Sequence, residues 1–551
     1  MAAYVIGIDF GTLSGRTILV DVHTGEECAE SVFFYPHAVM DEALPNGQKL
    51  PPNYALQHPQ DYLDVLRVTV PDVMRQVGAC AEDVLGLGID FTACTLLPVD
   101  ANGTPLCMKA EYRDRMHAYV KLWKHHAAQS YADEINALAE ARGEEWLKIY
   151  GGKISCEWAL PKILQVLRED PELYRSTVRF TEAADWLSLV LTGTETHSAA
   201  FAGYKALWNA ETGYPSNAFM TALDPALDGI VGSKLSTRVL GMKEIAGRLD
   251  RKGAELTGLK AGTPVALPMI DAHAAMPAIN LTEEGALMMI LGTSACHILN
   301  AREARNVEGI CGYVKDGVIP GFYTYEAGQA GVGDVYDWFV RNCVPQSYCA
   351  EAVERGIGLH QLLRERVCGE RPGECGLLAL DWLNGNRSIL VNSDLRGMIL
   401  GLNLQTRPEQ IYRALIEATA YGLRIIMEQY EKSGIPVNRI CAAGGIAKKD
   451  GMMMQIYADV LNREIAVADS TQAAALGSAM YASVAAGAYP NIQAAAEKLS
   501  KPCSRTYLPD AQNAAVYDLL YREYKTLHDY FGKENAVMLR LRKWSAAAKQ
   551  E

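Results

Sequence analysis

Residues 4–21 read YVIGIDFGTLSGRTILVD, two apolar runs separated by a polar turn that is rich in glycine. Short apolar runs bounded by turn residues are typical of β-strands. The segment therefore predicts two strands joined by a Gly-Thr turn near the start of the chain. Taken by itself, a hairpin that does nothing but turn explains it equally well.

The polar turn carries the groups that a phosphate site requires. Glycine lets the backbone approach a ligand closely, and hydroxyls, amides and a guanidinium can donate to phosphate oxygens. Asp9 ends the first strand and could hold Mg2+ through its water ligands. No lysine follows the glycines, so the turn is not the common nucleotide loop with a glycine-lysine pair. The candidate phosphate contacts are Gly11, Thr12, Ser14 and Arg16.

A second copy of this pattern makes the phosphate interpretation stronger. Residues 287–299 read LMMILGTSACHIL, again two apolar runs with a Gly-Thr-Ser turn between them, at Gly292 and Thr293. The two turns lie near the starts of the two halves of the chain. Such a repeat predicts two similar lobes that face each other and grip one polyphosphate.

Length, charge and cysteine content limit the class of protein. With 551 residues, of which 49% are hydrophobic, the chain can form at least two cores. Its net charge of -13 argues against nucleic acid or an anionic membrane as a partner, because no basic face offsets phosphate repulsion. The 13 cysteines are odd in number and scattered through apolar segments, as in reduced cytoplasmic proteins.

The sequence gives no sign of a membrane anchor or a structural zinc site. No basic region followed by a long apolar core opens the chain, so no signal peptide is expected. The most apolar candidate for a membrane span, residues 473–488, is too short and too rich in small residues. It predicts a tightly packed helix. No cysteine and histidine spacing resembles a zinc site.

Asp271 is the candidate general base. A strand over residues 265–270 ends at Asp271-Ala272-His273, where a helix is predicted to begin. Asp is favoured as an N-cap, which gives this carboxylate a purely structural interpretation. The alternative is a proton acceptor at a strand-to-helix junction, just before the second Gly-Thr turn. The domain boundary is expected close by, between Asp271 and Gly285.

Three further segments enter the prediction. The pattern over residues 113–145 is helical, with Trp123 expected in the core. Lys205 is either a solvated surface lysine, the commoner role, or a ligand contact. Residues 440–447 read ICAAGGIA, a buried strand that runs into Gly444 and Gly445 and can admit the face of a nucleotide.

Four motifs in this order resemble the FGGY carbohydrate kinases over nearly the whole chain. They are Asp9-Phe10-Gly11-Thr12, Asp271-Ala272-His273, Gly292-Thr293-Ser294 and Gly444-Gly445, and residues 397–417 resemble the second signature of the family. The resemblance implies an α/β fold with two ribonuclease-H-like domains, as in actin and hexokinase, over residues 1–275 and 276–551. It also implies ATP and Mg2+ in the cleft between them, and transfer of the γ-phosphoryl group to a sugar hydroxyl.

Within the family, residues 88–95, 203–208 and 325–329 resemble kinases that act on L-ribulose. That resemblance implies Asp271 as the base for O5, Asp9 at Mg2+, and sugar contacts from Ala93, Lys205 and Glu326. The implied nucleotide contacts are Gly292, Thr293, Gly333, Gly444, Gly445 and Lys449. Residues 448–450, Lys-Lys-Asp, depart from the small or amide residues usual after the double glycine, so the side-chain contact to adenine is left open.

Two other functions remain compatible with the sequence. One is a kinase for a different sugar or polyol, such as xylulose, D-ribulose or ribitol. The other is an actin-like ATPase that is not a kinase, although an acid at Asp271 beside the predicted sugar contacts argues against it. The oligomeric state is not fixed by the sequence, and a homodimer is one assembly compatible with it.

Overall fold

The structure is a computed structural model that describes residues 3–501 and 503–548. Within them the strands are β1 (Tyr4–Phe10), β2 (Ser14–Asp21), β3 (Glu27–Phe34), β4 (Leu56–Gln57), β5 (Val84–Phe91), β6 (Leu96–Val99), β7 (Val120–Lys121), β8 (Arg179–Glu182), β9 (His197–Ser198), β10 (Val239–Leu240), β11 (Ile245–Arg248), β12 (Pro264–Ala266), β13 (Met269–Ile270), β14 (Ala286–Leu291), β15 (Ala295–Ala301), β16 (Gly312–Lys315), β17 (Tyr323–Gln329), β18 (Leu378–Leu380), β19 (Met398–Leu400), β20 (Arg439–Ala443), β21 (Ile465–Ala468) and β22 (Cys503–Tyr507). The α-helices are α1 (Pro59–Val77), α2 (Gln129–Arg142), α3 (Trp146–Ile149), α4 (Ala159–Glu169), α5 (Pro171–Ser176), α6 (Ala183–Thr192), α7 (Ala199–Lys205), α8 (Asn217–Leu223), α9 (Ile230–Ser233), α10 (Arg251–Thr257), α11 (Asp271–Ala278), α12 (Gly333–Asn342), α13 (Gln346–Glu354), α14 (Leu359–Val367), α15 (Pro408–Lys432), α16 (Gly445–Lys449), α17 (Gly451–Leu461), α18 (Ala473–Ala485), α19 (Ile492–Leu499), α20 (Ala511–Asp529) and α21 (Val537–Ala548).

The N-terminal hairpin lies at the centre of the first sheet. The strand order is β11-β12-β5-β1-β2-β3, and β13 also pairs with β5. Neighbours β1, β2 and β3 are antiparallel, whereas β5 is parallel to β1. Val5, Ile6 and Ile8 are fully buried, which explains why β1 is apolar on both faces. The predicted hairpin is confirmed.

The second sheet repeats this topology. Its order is β16-β17-β15-β14-β20-β21-β22. Strand β14 is antiparallel to β15, β15 is antiparallel to β17, and β20 is parallel to β14. Thus β14 and β20 in the second sheet correspond to β1 and β5 in the first. The prediction of two similar α/β lobes, made from the repeated Gly-Thr hairpin, is confirmed.

Besides the hydrophobic cores of the two lobes, a separate hydrophobic cluster lies in long insertions between the strands of the first lobe. It includes residues from Met40 to Leu56 and from Cys94 to Leu235, around a small sheet with the order β4-β7-β6-β8. The continuous helix predicted over residues 113–145 is wrong, because the α-helix in this region is α2, Gln129–Arg142. Trp123 is also not a core residue, since 39% of its surface is exposed.

Helix α18 belongs to the second half of the chain but packs against the first sheet. Glycines make this close contact possible: a Cβ on Gly7 would lie 1.9 Å from the carbonyl oxygen of Ala475, and one on Gly88 would lie 2.0 Å from that of Ser478. On its other side, Gly477 touches α11, where an added Cβ would lie 1.7 Å from the carbonyl oxygen of Ala274. The tightly packed helix predicted for this segment therefore joins the two halves of the protein.

We expect Gly477→Ala to lower the stability of the protein, although alanine is the better helix former by about 1 kcal/mol. The methyl group would meet backbone, which cannot rotate away, so α18 and α11 must separate at a cost of about 1–3 kcal/mol or more. Thermal unfolding measures the change. Gly369→Ala is the control, since nothing lies within 4 Å of its added Cβ. Equal melting temperatures for the two variants would contradict the close packing.

Among the described helices, none is both long enough and apolar enough to cross a membrane.

Candidate active site

The two Gly-Thr turns are each closed by a hydrogen bond from the glycine amide, although the first turn is one residue longer, with four residues between Phe10 and Gly15 and three between Leu291 and Ala295. The amide of Gly11 donates to the carbonyl oxygen of Ser14 at 3.0 Å, and the amide of Gly292 donates to that of Ser294 at 3.0 Å. Each turn connects a central strand to its antiparallel neighbour, β1 to β2 and β14 to β15. The turns therefore occupy equivalent places in the two lobes.

Three carboxyl groups come together where neighbouring strands of the first sheet end. Asp9 on β1 is in register with Asp90 on β5, and β13, which pairs with β5, ends directly before Asp271. Burial raises the pKa of Asp9. Burial and the charge of Asp9 raise the pKa of Asp90 well above its usual value, although the Ser478 hydroxyl donates to Asp90 Oδ2 at 2.6 Å. Carboxyl ends of parallel strands are where α/β sheets bind ligands.

Asp271 occupies the first turn of α11, whose N-cap is Ile270. The N-cap interpretation of Asp271 is therefore wrong. Its Oδ1 accepts a hydrogen bond from the amide of Ala272 at 2.6 Å, and the residue stays partly exposed. Burial, and next the charge of Asp9, raise the pKa of Asp271 to about 7. A carboxylate with this pKa is suited to accept a proton near neutral pH.

Lys205 and Glu326 form a buried ion pair between the lobes. Lys205 Nζ lies 2.9 and 3.0 Å from the two carboxylate oxygens of Glu326, and 7% of each side chain is exposed. This burial rules out a solvated surface lysine. His273 Nε2 lies 3.2 Å from Glu326 Oε2 but is not aligned for a hydrogen bond. His273 follows Asp271 by two residues on α11, so the ion pair lies next to the helix that carries Asp271.

Ala93 lies in a tight turn after β5 that buried charges hold in place. Cys94 has a φ of 58°, in the left-handed region. Lys162 Nζ donates to the Cys94 carbonyl oxygen at 2.6 Å, and Glu182 Oε2 accepts from the Thr95 amide at 2.7 Å. The two polar groups of one peptide unit are thus bound by opposite charges, which fixes the backbone next to Ala93.

The predicted nucleotide residues also lie together. The amide of Gly333, at the start of α12, donates to the carbonyl oxygen of Gly292 at 3.0 Å, and the amide of Asp334 donates to that of Thr293 at 3.1 Å. Gly444 has a φ of 99°, and a Cβ there would lie 2.5 Å from the Leu291 carbonyl oxygen. Gly444 is therefore required to bring β20 and α16 against the second Gly-Thr turn.

Open space lies in front of this glycine pair. No atom lies within 4 Å of a Cβ built on Gly445, so a flat ring could approach the backbone there. Lys449 is exposed, whereas the neighbouring Lys448 is engaged by the carbonyl oxygens of Asp469 and Ser470. A contact between Lys449 and the nucleotide stays a prediction.

The remaining residues of the first turn contact the insertion and the sheet. Trp123 Nε1 donates to Thr12 Oγ1 at 3.2 Å, so the exposed tryptophan stands over the turn. Arg16 lies opposite Asp9 in the β1–β2 ladder and pairs with Glu30 at 3.0 Å. Ser14 begins β2. Phosphate contacts from Thr12, Ser14 and Arg16 stay predictions.

The second signature segment contributes structure more than ligand contacts. Glu417 is buried on α15, where Arg413 Nε and Tyr517 Oη both donate to its Oε1 at 2.8 Å. Gln410 Oε1 accepts from the amide of Arg407 and so caps the same helix. These side chains fix α15 within the second lobe.

Sequence reasoning missed two groups near the predicted sugar contacts. Arg387 and Glu157 come from different lobes and lie 3.5 Å apart, and the charge of Arg387 lowers the pKa of Glu326 together with the larger effect of Lys205. Neither residue belongs to a recognisable motif, and 230 positions separate them in the chain. No signal in a single sequence reports such a pair.

Comparisons with known proteins agree with this geometry. The model of the FGGY carbohydrate kinase N-terminal domain matches residues 4–276, and that of the C-terminal domain matches residues 287–486. A ribulokinase of Bacillus licheniformis is 51% identical over 536 residues, covering 96% of this chain and 97% of the relative. A ribulokinase of Mycolicibacterium smegmatis is 47% identical over 541 residues, covering 98% and 96%.

Solved structures of sugar kinases share the fold. Gluconate kinase from Lactobacillus acidophilus has a TM-score of 0.80 at 17% identity, over 97% of this chain and 99% of its own. Xylulose kinase from Rhodospirillum rubrum has a TM-score of 0.79 at 21% identity, over 95% and 98%. The expected two-domain α/β architecture, consistent with the actin and hexokinase type, is confirmed. The chain belongs to the FGGY family of carbohydrate kinases.

Proposed function

We propose that the protein transfers the γ-phosphoryl group of ATP to O5 of L-ribulose, giving L-ribulose 5-phosphate and ADP, a step of L-arabinose breakdown. The observation that carries the proposal is the position of Asp271: it follows β13, which pairs with β5 next to Asp9 on β1, and its helix brings His273 to 3.2 Å from Glu326 of the Lys205–Glu326 pair. Relatives named ribulokinase, about half identical over nearly the full length, support ribulose over xylulose or ribitol.

Asp271 performs the proton transfer in this proposal. The sugar hydroxyl gives its proton to the carboxylate while its oxygen bonds to the γ-phosphorus, and the bond from that phosphorus to the β,γ-bridging oxygen breaks to release ADP. Phosphoryl transfer requires little covalent help from the protein, so positioning and charge neutralisation dominate. Lys205, Glu326 and the backbone at Ala93 hold the sugar, while the Gly-Thr turns bind phosphate oxygens.

The carboxyl groups fit a divalent cation that is shared with ATP. In the described part of the chain, no group of three or more acidic, histidine or cysteine side chains could hold a metal ion alone. Mg2+, however, usually takes one or two carboxylates together with waters and phosphate oxygens. Asp9 would hold it, with Asp90 beside Asp9. Bound there, Mg2+ would neutralise phosphate charge.

The activity should depend on pH through Asp271. Its pKa is raised to about 7, and only the ionised carboxylate accepts a proton, so activity is lost as the pH falls through this value. We expect kcat/KM for the sugar to decrease about tenfold per pH unit well below pH 7. Initial rates between pH 5 and 9 at saturating ATP measure the profile. A midpoint at pH 4 to 5 would contradict a raised pKa at the base.

A panel of sugars tests the proposed activity. Purified protein is assayed with ATP and Mg2+ by coupled ADP detection, using L-ribulose, D-ribulose, L- and D-xylulose, ribitol and glycerol. NMR of the product then identifies the phosphorylated position. Preference for L-ribulose with phosphate on O5 supports the proposal, and preference for another sugar overturns it. ATP turnover that no sugar stimulates would instead favour an ATPase without a sugar substrate.

We also propose a cytoplasmic enzyme, a homodimeric assembly, and a domain boundary at residues 275 and 276. The 13 cysteines, odd in number and scattered through apolar segments, support the first. Light scattering after size exclusion tests the second. Co-expression of residues 1–275 with residues 276–551 tests the third, because α18 of the second fragment packs on the first sheet; assembly of the two fragments supports the boundary.

A further inference from the structure

Arg387 lies on the same face of β17 as the sugar contact Glu326. A Cβ on Gly328 would lie 3.0 Å from Arg387 Cδ and 3.2 Å from its Nη1, so the arginine stem crosses the strand at this glycine. Residues 326 and 328 project from the same face, because side chains alternate along a strand. The guanidinium is therefore placed beside the Lys205–Glu326 pair.

The guanidinium has hydrogen-bond capacity that the protein does not use. Arginine carries five N–H donors. Over the described residues, the one hydrogen bond of this group goes from Nη2 to Glu157 Oε2, and at 3.5 Å it is long. The side chain is 37% exposed, so a ligand can reach part of it. Acceptor oxygens on a ligand would satisfy its free donors.

Glu326 has neighbours on both sides. His273, which follows Asp271 by two residues on α11, lies 3.2 Å from Glu326 Oε2. Gly328, where the arginine stem crosses the strand, follows Glu326 by two residues on β17. Glu326 therefore lies next to both the helix that carries the base and the guanidinium. A sugar with its reacting hydroxyl at Asp271 would extend past Glu326 and bring its other end to Arg387.

We propose that Arg387 is a substrate-binding residue that donates to oxygen atoms at the end of the sugar remote from the transferred phosphate, and that Glu157 orients its guanidinium. This inference rests on the proposed function, and it further specifies the length of the sugar that the site accepts. A donor-only group at this end selects ligands with carbonyl or hydroxyl oxygens within reach. Five-carbon ketoses reach it, and shorter ketoses with the same reacting end do not.

The test compares L-ribulose with the four-carbon ketose L-erythrulose in Arg387→Met. We expect KM for L-ribulose to rise about 20-fold or more, as when a polar substrate contact is lost, with KM for ATP unchanged. L-erythrulose kinetics should stay within about twofold, so the preference for five carbons falls. Arg387→Lys, which keeps the charge and a single donor group, should lie between wild type and Arg387→Met. Calorimetry of sugar binding without ATP gives a readout independent of turnover.

Arg439→Met is the matched control, because Arg439 pairs with Glu283 at 3.0 Å and has a similar exposure of 42% outside the cleft. It should change neither sugar preference nor KM. Unchanged KM for L-ribulose in Arg387→Met, or equal losses for both ketoses, overturns the inference. If the wild-type protein does not phosphorylate L-ribulose, the proposed function is overturned instead. The role of Arg387 is then tested by comparing, in Arg387→Met, the sugar that the protein accepts with the homologue of that sugar that is one carbon shorter.

Discussion

Asp271→Asn should abolish most sugar phosphorylation while leaving nucleotide binding intact. General base catalysis contributes about 10²–10⁴-fold, so we expect kcat to fall about 10³-fold. Asparagine has the shape of aspartate and can still accept the amide hydrogen bond from Ala272, which the wild type makes at 2.6 Å. It cannot accept the proton of the sugar. Steady-state kinetics and calorimetry with ATP measure the two properties separately.

The same substitution should not destabilise the protein. Asp271 has a folded pKa of about 7, above its ordinary 3.8, so its ionised form costs folding free energy at pH 8. Asparagine removes that cost and the repulsion from Asp9. We therefore expect an equal or higher melting temperature at pH 8, together with the loss of turnover. A lowered melting temperature would indicate that the lost activity reflects damage to the fold.

Asp250→Asn is the matched control for this substitution. Asp250 also lies at a helix N-terminus, where its Oδ1 accepts from the amide of Gly253 at 2.7 Å, but it is an N-cap on α10. Its replacement should leave kcat unchanged. If Asp271→Asn retained more than about a tenth of the wild-type kcat, the base would have to be another group.

The parts of the fold that the sequence predicts are those with local signals. Both Gly-Thr hairpins are visible in residues 4–21 and 287–299 because apolar runs and turn residues alternate within a few positions. Asp271 could be proposed because it follows directly on a strand. The insertion with its own core could not, since its strands β4, β6, β7 and β8 have two to four residues each and pair across long intervals.

The parts of the fold and of the site that could not be predicted depend on contacts between segments that are distant in the sequence. Helix α18 belongs to the second half of the chain, yet its small residues pack on Gly7 and Gly88 of the first sheet. No local sequence pattern predicts which sheet the helix packs against. Lys205 was predicted to be exposed more often than not, because a lysine near a turn usually is. Its burial depends on Glu326, which lies 121 positions away. Such pairs become visible only when both lobes are in place.

Lys205→Met should cost both stability and sugar binding. The substitution leaves the Glu326 carboxylate, with 7% of its side chain exposed, without its two hydrogen bonds from Nζ. Removing one partner of a buried ion pair costs about 3–5 kcal/mol. His273 at 3.2 Å and Arg387 are the positive groups that remain. We expect a lower melting temperature at pH 8 and a large rise in KM for the sugar.

The pH dependence of the melting temperature of Lys205→Met shows whether the unpaired Glu326 carboxylate causes the loss of stability. In the wild type, Lys205 holds the pKa of Glu326 below its ordinary 4.5, so the pair stabilises the fold above that pH and this contribution is lost as the pH falls. In Lys205→Met the pKa of Glu326 should rise, because burial then dominates. Protonation near pH 5 should relieve the penalty, so the variant and the wild type should differ less at pH 5 than at pH 8.

A double variant separates the two effects of Lys205. Lys205→Met with Glu326→Gln has no unpaired charge and should regain most of the lost stability, as apolar or neutral replacements of buried ion pairs often do. Activity should not return, because both sugar contacts are gone. Arg251→Met breaks an exposed pair with Glu255, 91% and 64% exposed, and should change stability by less than about 1 kcal/mol. A double variant with full activity would exclude the Lys205–Glu326 pair from sugar binding.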